Sequence, residues 1–378
     1  MIAAFLILLT FLVGVSDARA QTGDVSRFEK LYRGARLRYN RVEGPFLGYR
    51  LSASRKDWPR IKAFAEGGYG FASRAARWEA GVEYRSRKIS FNAAVFDRSE
   101  TPERGIVGTT ENSLLSLLFK WDYRDYFRAK NGFEAKFSLR SKRTLSLFIG
   151  LTAYGCEPLP VRTAWSVFFR NRPFRNNPPA RPGDVGLLHA GVTVDTRVGS
   201  PLFRNAWFGS LRYERGFREF PFHGLTLEGK RYQKARFGRQ GLIVRARLNT
   251  RQSAATQFLF GLGGAGTLRG YDIKEFRANR LVLVNVEYAF RGDVLPRIPV
   301  SGFHLLNLTV FADAGWTRLM PESARLFAGF GEPDLASFRT STGLGIALPR
   351  QLLRLNVARR LDRSDDAWSL YFRLRYDL

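Results

Sequence analysis

Between residues 242 and 249 the chain alternates, position by position, between two incompatible surroundings. Leu242, Val244, Ala246 and Leu248 fall on one face; Ile243, Arg245, Arg247 and Asn249 fall on the other. A period of two is that of a β-strand. Arginines repeated along one face exclude a dry core there and are costly against lipid. They suit a hydrated cavity.

The rhythm recurs along the chain. Within 282–290, Val282, Val284, Val286, Tyr288 and Phe290 form the apolar face, leaving Leu283, Asn285, Glu287 and Ala289 inside. Within 306–316, Leu306, Leu308, Val310, Ala312, Ala314 and Trp316 oppose Asn307, Thr309, Phe311, Asp313 and Gly315. The last segment sets Leu370, Phe372, Leu374, Tyr376 and Leu378 against Ser369, Tyr371, Arg373, Arg375 and Asp377. Lipid outside and water inside account for both faces.

Strands are expected near 45–54, 60–71, 76–87, 88–98, 131–141, 143–155, 160–169 and 185–197. Others are expected near 204–215, 236–249, 253–262, 280–291, 304–316, 338–348, 350–361 and 367–378. The pattern predicts an all-β fold, a transmembrane antiparallel β-barrel of about sixteen strands. Its first strand is expected to close on its last, because backbone in lipid must satisfy itself. One segment breaks the rule. Leu114, Leu115, Leu118, Phe119, Tyr123 and Tyr126 recur at helical spacing within Glu111–Arg128, predicting a short amphipathic helix that packs on the rim or lies on the membrane surface. Strand parity puts it at the periplasmic end.

The expected organisation has three parts: a signal peptide at 1–20, a short periplasmic segment at 21–44, and the barrel at 45–378. Ile2 to Val15 is apolar and is followed by Ser16-Asp17-Ala18-Arg19-Ala20, which fits export with cleavage before Gln21. A membrane anchor needs roughly 20 apolar residues, more than this run offers. Cys156 is the only cysteine, so no intrachain disulfide contributes. The net charge is +28, yet the cations are scattered singly through alternating segments. That argues against nucleic acid and for lipopolysaccharide phosphates or a cationic lumen as counter-charge.

Two motifs carry more specific information. At 263–271 the chain reads Gly263-Gly264-Ala265-Gly266-Thr267-Leu268-Arg269-Gly270-Tyr271, and further on Phe311-Ala312-Asp313-Ala314-Gly315. Glycines allow a tight loop, Leu268 and Tyr271 offer apolar anchors, and Arg269 brings a fixed charge. A phosphate-cradling loop is disfavoured, since no helix with a Lys-Ser/Thr start follows. The pair resembles the (V/L)-R-G-(F/Y) loop and F-x-D-x-G strand of the BamA/TamA superfamily, which includes two-partner secretion transporters and the bacterial surface antigen family. The resemblance implies an extracellular loop that folds back into the barrel, where its arginine meets an inward acidic residue. Alternation independently turns Asp313 inward, and Glu287 on the preceding strand is placed to join it. Asp195-Thr196-Arg197, Tyr39-Asn40-Arg41-Val42-Glu43-Gly44 and Asp122-Tyr123-Arg124-Asp125-Tyr126 are also similar to stretches of that family. Two departures stand out: the POTRA domains of BamA and TamA are missing, and Leu378 replaces the usual terminal aromatic, which weakens the assembly signal.

No enzyme signature is present, and no cofactor or metal is implied. His189, His223 and His304 lack metal-ligand spacing, and His189 reads as a wall residue facing the lumen. Gly-x-Ser-x-Gly is absent, Cys156 has no visible basic partner, and Asp365-Asp366 reads as turn chemistry. The expectation is an outer-membrane barrel that assists insertion or translocation of proteins. Its partners would be outer-membrane lipid and lipopolysaccharide, client outer-membrane or secreted proteins, and a separate periplasmic subunit. The alternatives are a passive or anion-favouring porin and a surface or structural barrel without transport.

Overall fold

The computed structural model describes residues 34–55, 57–102, 105–141, 143–197, 203–235, 240–291, 306–331, 335–348, 353–362 and 368–374. The expected signal peptide, His304, Asp365-Asp366 and the final four residues lie outside them.

The first strands are β1 (Ala35–Asn40), β2 (Gly44–Ala53), β3 (Ile61–Gly70), β4 (Ala75–Arg85) and β5 (Ile89–Glu100). Helix α1 (Thr109–Phe119) follows. Next come β6 (Phe127–Arg140), β7 (Leu145–Pro158), β8 (Gly183–Asp195), β9 (Ala206–Arg218), β10 (Phe222–Lys234) and β11 (Gln240–Arg251). A small ribbon of β12 (Phe260–Leu262) and β13 (Phe276–Ala278) interrupts the series. The sheet resumes with β14 (Arg280–Arg291), β15 (Asn307–Arg318), β16 (Arg339–Ala347), β17 (Leu353–Arg360) and β18 (Ser369–Leu374). Apart from the ribbon, successive strands pair in one 16-stranded antiparallel sheet.

The faces fall where alternation puts them. In β14 and β15, Asn285, Glu287 and Asp313 are buried, whereas Tyr288 and Val310 are exposed. Large apolar side chains crowd the outer surface: Leu51 is 64% exposed and Trp207 56%. Bare apolar surface on that scale needs lipid against it. The inner face carries the buried charges, with an apolar cluster of Leu262, Leu268, Tyr271, Leu281 and Leu283.

The strand count matches expectation, but two strands were misplaced each way. Segments 160–169 and 253–262 are not wall strands. In the first, backbone N–H groups of Val167 and Phe168 donate to Leu117 and Leu118 of α1 rather than to a neighbouring strand (2.9 and 3.0 Å). The second forms a 3-10 turn and β12. In their place stand β1 and β10. The wall therefore begins at Ala35 rather than near residue 45, and Tyr39–Gly44 spans the end of β1 and the turn into β2.

The extra strand β1 also reverses the helix's place. Counting along the antiparallel order, α1, the 159–182 connection and the Gly-rich loop all emerge at one end of the sheet, opposite the end where β18 finishes. Five strands precede the helix rather than the four expected, so parity sets it at the opposite end of the sheet from the one the four-strand count gave. The helix is also shorter than Glu111–Arg128: Lys120 adopts φ +61°, and residues 121–126 return to β6 outside any regular element. Asn112 fixes that return, its side chain donating to Asp122 (2.9 Å) and accepting from the Tyr123 N–H (2.8 Å).

Closure differs as well. Among the described residues no ladder joins β1 to β18. The free edge of β18 is instead covered by α1. Glu111 accepts the Leu374 backbone N–H at 2.9 Å and pairs with Arg373 at 2.6 Å. Phe119 stacks on Phe372 with ring centroids 5.6 Å apart, and Trp121 lies 6.0 Å from both Phe372 and Tyr371. A buried N–H left unpaired is expensive, and the helix supplies the acceptor that a strand would have supplied.

Candidate functional site

The Gly-rich loop folds inward from the β11–β14 connection. Gly263 and Gly264 take φ of +121° and +84°, open to glycine and strained for other residues. The Gly264 N–H donates to the Leu268 carbonyl at 2.9 Å, closing the tip. Leu268 and Tyr271 are completely buried. The Tyr271 hydroxyl donates to the Thr340 carbonyl at 3.2 Å, and its own carbonyl accepts from Tyr371 at 2.6 Å.

Gly270 rests directly against the wall. A Cβ there would come within 2.8 Å of Ser341 Cβ and 2.9 Å of Arg359 and Arg360 backbone atoms. Backbone cannot yield as a flexible side chain can, so Gly270→Ala is expected to destabilise the docked loop by about 1–3 kcal/mol. Gel migration of unheated against heated protein would register this as a lower unfolding temperature; an unchanged temperature refutes the close approach.

Arg269 reaches the carboxylates that the sequence assigns to it. Its Nε and backbone N donate to Asp313 Oδ2 at 2.9 and 3.1 Å, and Nη2 donates to Oδ1 at 2.5 Å. Nη1 pairs with Glu287. The guanidinium lies 3.5 Å over the centre of the Phe311 ring, an arrangement favourable to a desolvated cation. Gly315, the last residue of the second motif, faces Leu262 and Leu268, which pack over it. Register explains the convergence: Asn285 lies opposite Asp313, and Glu287 opposite Phe311.

Sequence reasoning missed two partners. Arg354 on β17 makes a forked contact with Glu287, at 2.9 and 3.2 Å. Its inward parity was readable, but alternation gives no hint of which residue it meets across the interior. Asn285 bridges the Thr267 carbonyl and Asp313, both at 2.8 Å. The site is therefore a buried quartet of two arginines and two carboxylates. With each charge met by an opposite one, such a group can hold a loop.

The second missed centre lies at the same end. Arg41, fully buried, pairs with the Asp122 carboxylate, which also accepts its backbone N–H at 3.0 Å, and donates to Asp125 at 3.1 Å. It thereby joins two stretches whose family resemblance came without a role, Tyr39–Gly44 and Asp122–Tyr126. Asp125 also meets Lys274 of the loop at 3.1 Å and Arg175 at 2.7 Å. The third such stretch, Asp195-Thr196-Arg197, pairs within itself at 2.8 Å and contacts β9, where the Thr196 hydroxyl accepts from the Trp207 N–H at 2.7 Å and Arg197 lies 4.6 Å over the Phe208 ring.

Burial raises the affinity of the Asp125 carboxyl for a proton, but Lys274, Arg175, Arg277 and Arg41 outweigh burial and hold it well below the usual carboxylate range. A depressed folded value means a contribution that is complete above the unfolded value of about 3.9 and lost as pH falls below it. Amide exchange over 271–278, corrected for intrinsic rates, should keep constant protection from about pH 7 to pH 5 and lose it below about pH 4. Protection that varies between pH 7 and pH 5 refutes this reading.

Over residues 10–190, less than half of the chain, the sequence matches the profile of a family of unknown function (DUF5686), its C-terminal domain. No curated protein matches the sequence. By fold the chain is similar to BamA from Haemophilus ducreyi lacking POTRA domains 1–3, with a TM-score of 0.53, 12% identity, and coverage of 89% of this chain and 69% of that one. It is also similar to CdiB from Acinetobacter baumannii (TM-score 0.45, 12% identity, 90% of this chain and 58% of that one). CdiB from Escherichia coli is similar too (TM-score 0.46, 12% identity, 90% and 61%). The chain thus spans less than two thirds of either CdiB. The fold is that of an outer-membrane β-barrel.

Proposed function

We propose that this chain is an outer-membrane barrel of the BamA/TamA type that assists other polypeptides to insert into or cross that membrane, along the seam between β1 and β18. One observation carries the reading: α1 covers the edge of β18, with Glu111 accepting the Leu374 N–H and holding Arg373. An uncovered edge is a template for an incoming strand. The inward-held loop agrees with the same reading, since a plain pore has no use for one. Clients would be outer-membrane or secreted proteins, and periplasmic handling would fall to a separate subunit.

A passive, anion-favouring porin is the second reading, favoured by the cations on the inner face. Depletion in the native bacterium, followed by outer-membrane proteomics, separates the two. Loss of particular outer-membrane or exported proteins is expected, with small, flickering conductance of the purified barrel in planar bilayers. An unchanged proteome together with large, steady, anion-selective openings overturns the first reading. A Phe119→Cys/Phe372→Cys pair, oxidised to lock α1 on β18, should reproduce the depletion and be relieved by reductant.

A further inference from the structure

Beneath the folded loop, inside the wall, lies a chamber of about 660 Å³. Residues of β5 to β11 surround it, Arg373 of β18 closes one side, and Gly266 of the loop tip overhangs it. That is the size of pocket that takes small, drug-sized ligands. Its charge is lopsided. Eight Arg or Lys side chains line it against four Glu.

The four carboxylates are already committed. Glu100 and Glu134 both hold Arg98, at 3.1 and 2.6 Å. Glu214 is shared by Arg212, at 2.9 Å, and Arg251. Glu228 is shared by Arg245 and Lys230, at 3.0 and 3.4 Å. At Glu214 and Glu228 one carboxylate between two cations leaves a positive surplus, whereas Arg98 also holds Glu79 and Arg373 is paired with Glu111. Lys136 meets no carboxylate within 4.0 Å among the described residues; its ammonium instead lies 4.7 Å from the centre of the Phe148 ring.

Register brings these cations together. Lys136 lies opposite Gly150, Gly150 opposite His189, and His189 opposite Glu214, so they form one row across four strands. Arg212 sits opposite Gly191, the next inward position on β8. The His189 ring packs over Gly150 and the Phe148 ring over Gly191, and the side chains of Lys136 and Arg212 line the chamber. On the far side Lys230 lies directly opposite Arg245. Like charges placed so oppose sheet pairing, and the single Glu228 carboxylate between them offsets only one of the two. A multiply charged anion between them would relieve it.

We propose that the chamber is a binding site for a phosphate-bearing anion, held by Lys136, Arg212 and Lys230, with the Arg245–Glu228 and Arg251–Glu214 pairs fixing its walls. Guanidinium donors match phosphate oxygens in a fork, and the lysines add point charge. The site is independent of any client passing through the seam.

Calorimetric titration of the purified full-length barrel with inorganic tripolyphosphate, at fixed ionic strength, tests this. Binding at least tenfold tighter than that of sulfate is expected. Lys136→Gln/Arg212→Gln should lose at least tenfold, whereas Arg55→Gln, an exposed arginine in the β2–β3 connection, should bind as the parent does. Equal binding by the double variant, or tripolyphosphate no better than sulfate, overturns the proposal. Single variants showing parental gel migration serve if the double variant misfolds. Micelles containing a phosphomonoester lipid identify the source: competition with tripolyphosphate assigns a lipid headgroup, and its absence a soluble phosphate. Because no client takes part, a negative result here leaves the seam reading standing, and the reverse also holds.

Discussion

Arg269→Met should release the inward loop, at a cost of about 3–5 kcal/mol, the range for breaking one side of a buried ion pair. The arginine is 3% exposed and its partners Glu287 and Asp313 1% and 0%, so water cannot take its place. The two carboxylates are not equally affected. Glu287 keeps Arg354, whereas Asp313 loses its only cation among the described residues and keeps the neutral donors Asn285, Ser341 and the residue-269 backbone N–H. Methionine still fills the space over Phe311, which separates lost charge from lost volume. Trypsin should then cut within 263–278 of the native barrel, and the unheated gel form should convert at lower temperature. Adding Asp313→Asn should recover part of the loss, because the stranded charge goes with it; strictly additive losses would refute the coupling. A simple charge swap is a poor test, since the swapped residue would also face Glu287 and Arg354. Resistance to trypsin equal to the parent's would refute the anchoring role.

Glu111→Leu is expected to have an effect of comparable size, localised at the seam. The substitution deprives Arg373 of its buried carboxylate and the Leu374 N–H of its acceptor. A leucine has about the right bulk but accepts nothing, so breaking the pair costs about 3–5 kcal/mol. The aromatic stack of Phe119 and Trp121 on Phe372 remains and should keep α1 nearby. Exchange at the Leu374 amide should rise more than tenfold, with little change in β8 or β9. Glu111→Gln retains an acceptor oxygen and should fall between. Parental exchange at Leu374 in Glu111→Leu would mean that the helix does not protect the edge.

Much of this was readable before any coordinates. Alternation assigned the inner and outer faces of β11, β14, β15 and β18 correctly, because lipid and water reward opposite residues at every second position. The resemblance of the two motifs led to Arg269 and an acidic partner, and parity independently turned Asp313 and Glu287 inward. Strand β10 escaped because its outward face, with His223, Gly229, Arg231 and Gln233 around Leu225 and Leu227, carries little apolar signal. The stretch 160–169 misled for the opposite reason. Its Val161, Trp165, Phe168 and Phe169 are apolar and closely spaced, but the stretch pairs with α1 instead of a strand. Arg354 and Arg41 were out of reach, because their partners lie 67 and 81 residues away in the chain.

Asp125 sits in the β5–β6 connection and draws cations from three others: Arg41 before β2, Arg175 before β8, and Lys274 and Arg277 before β14. A keystone is loaded from several sides at once. Anything that grips one of these connections pulls, through that one carboxylate, on all four.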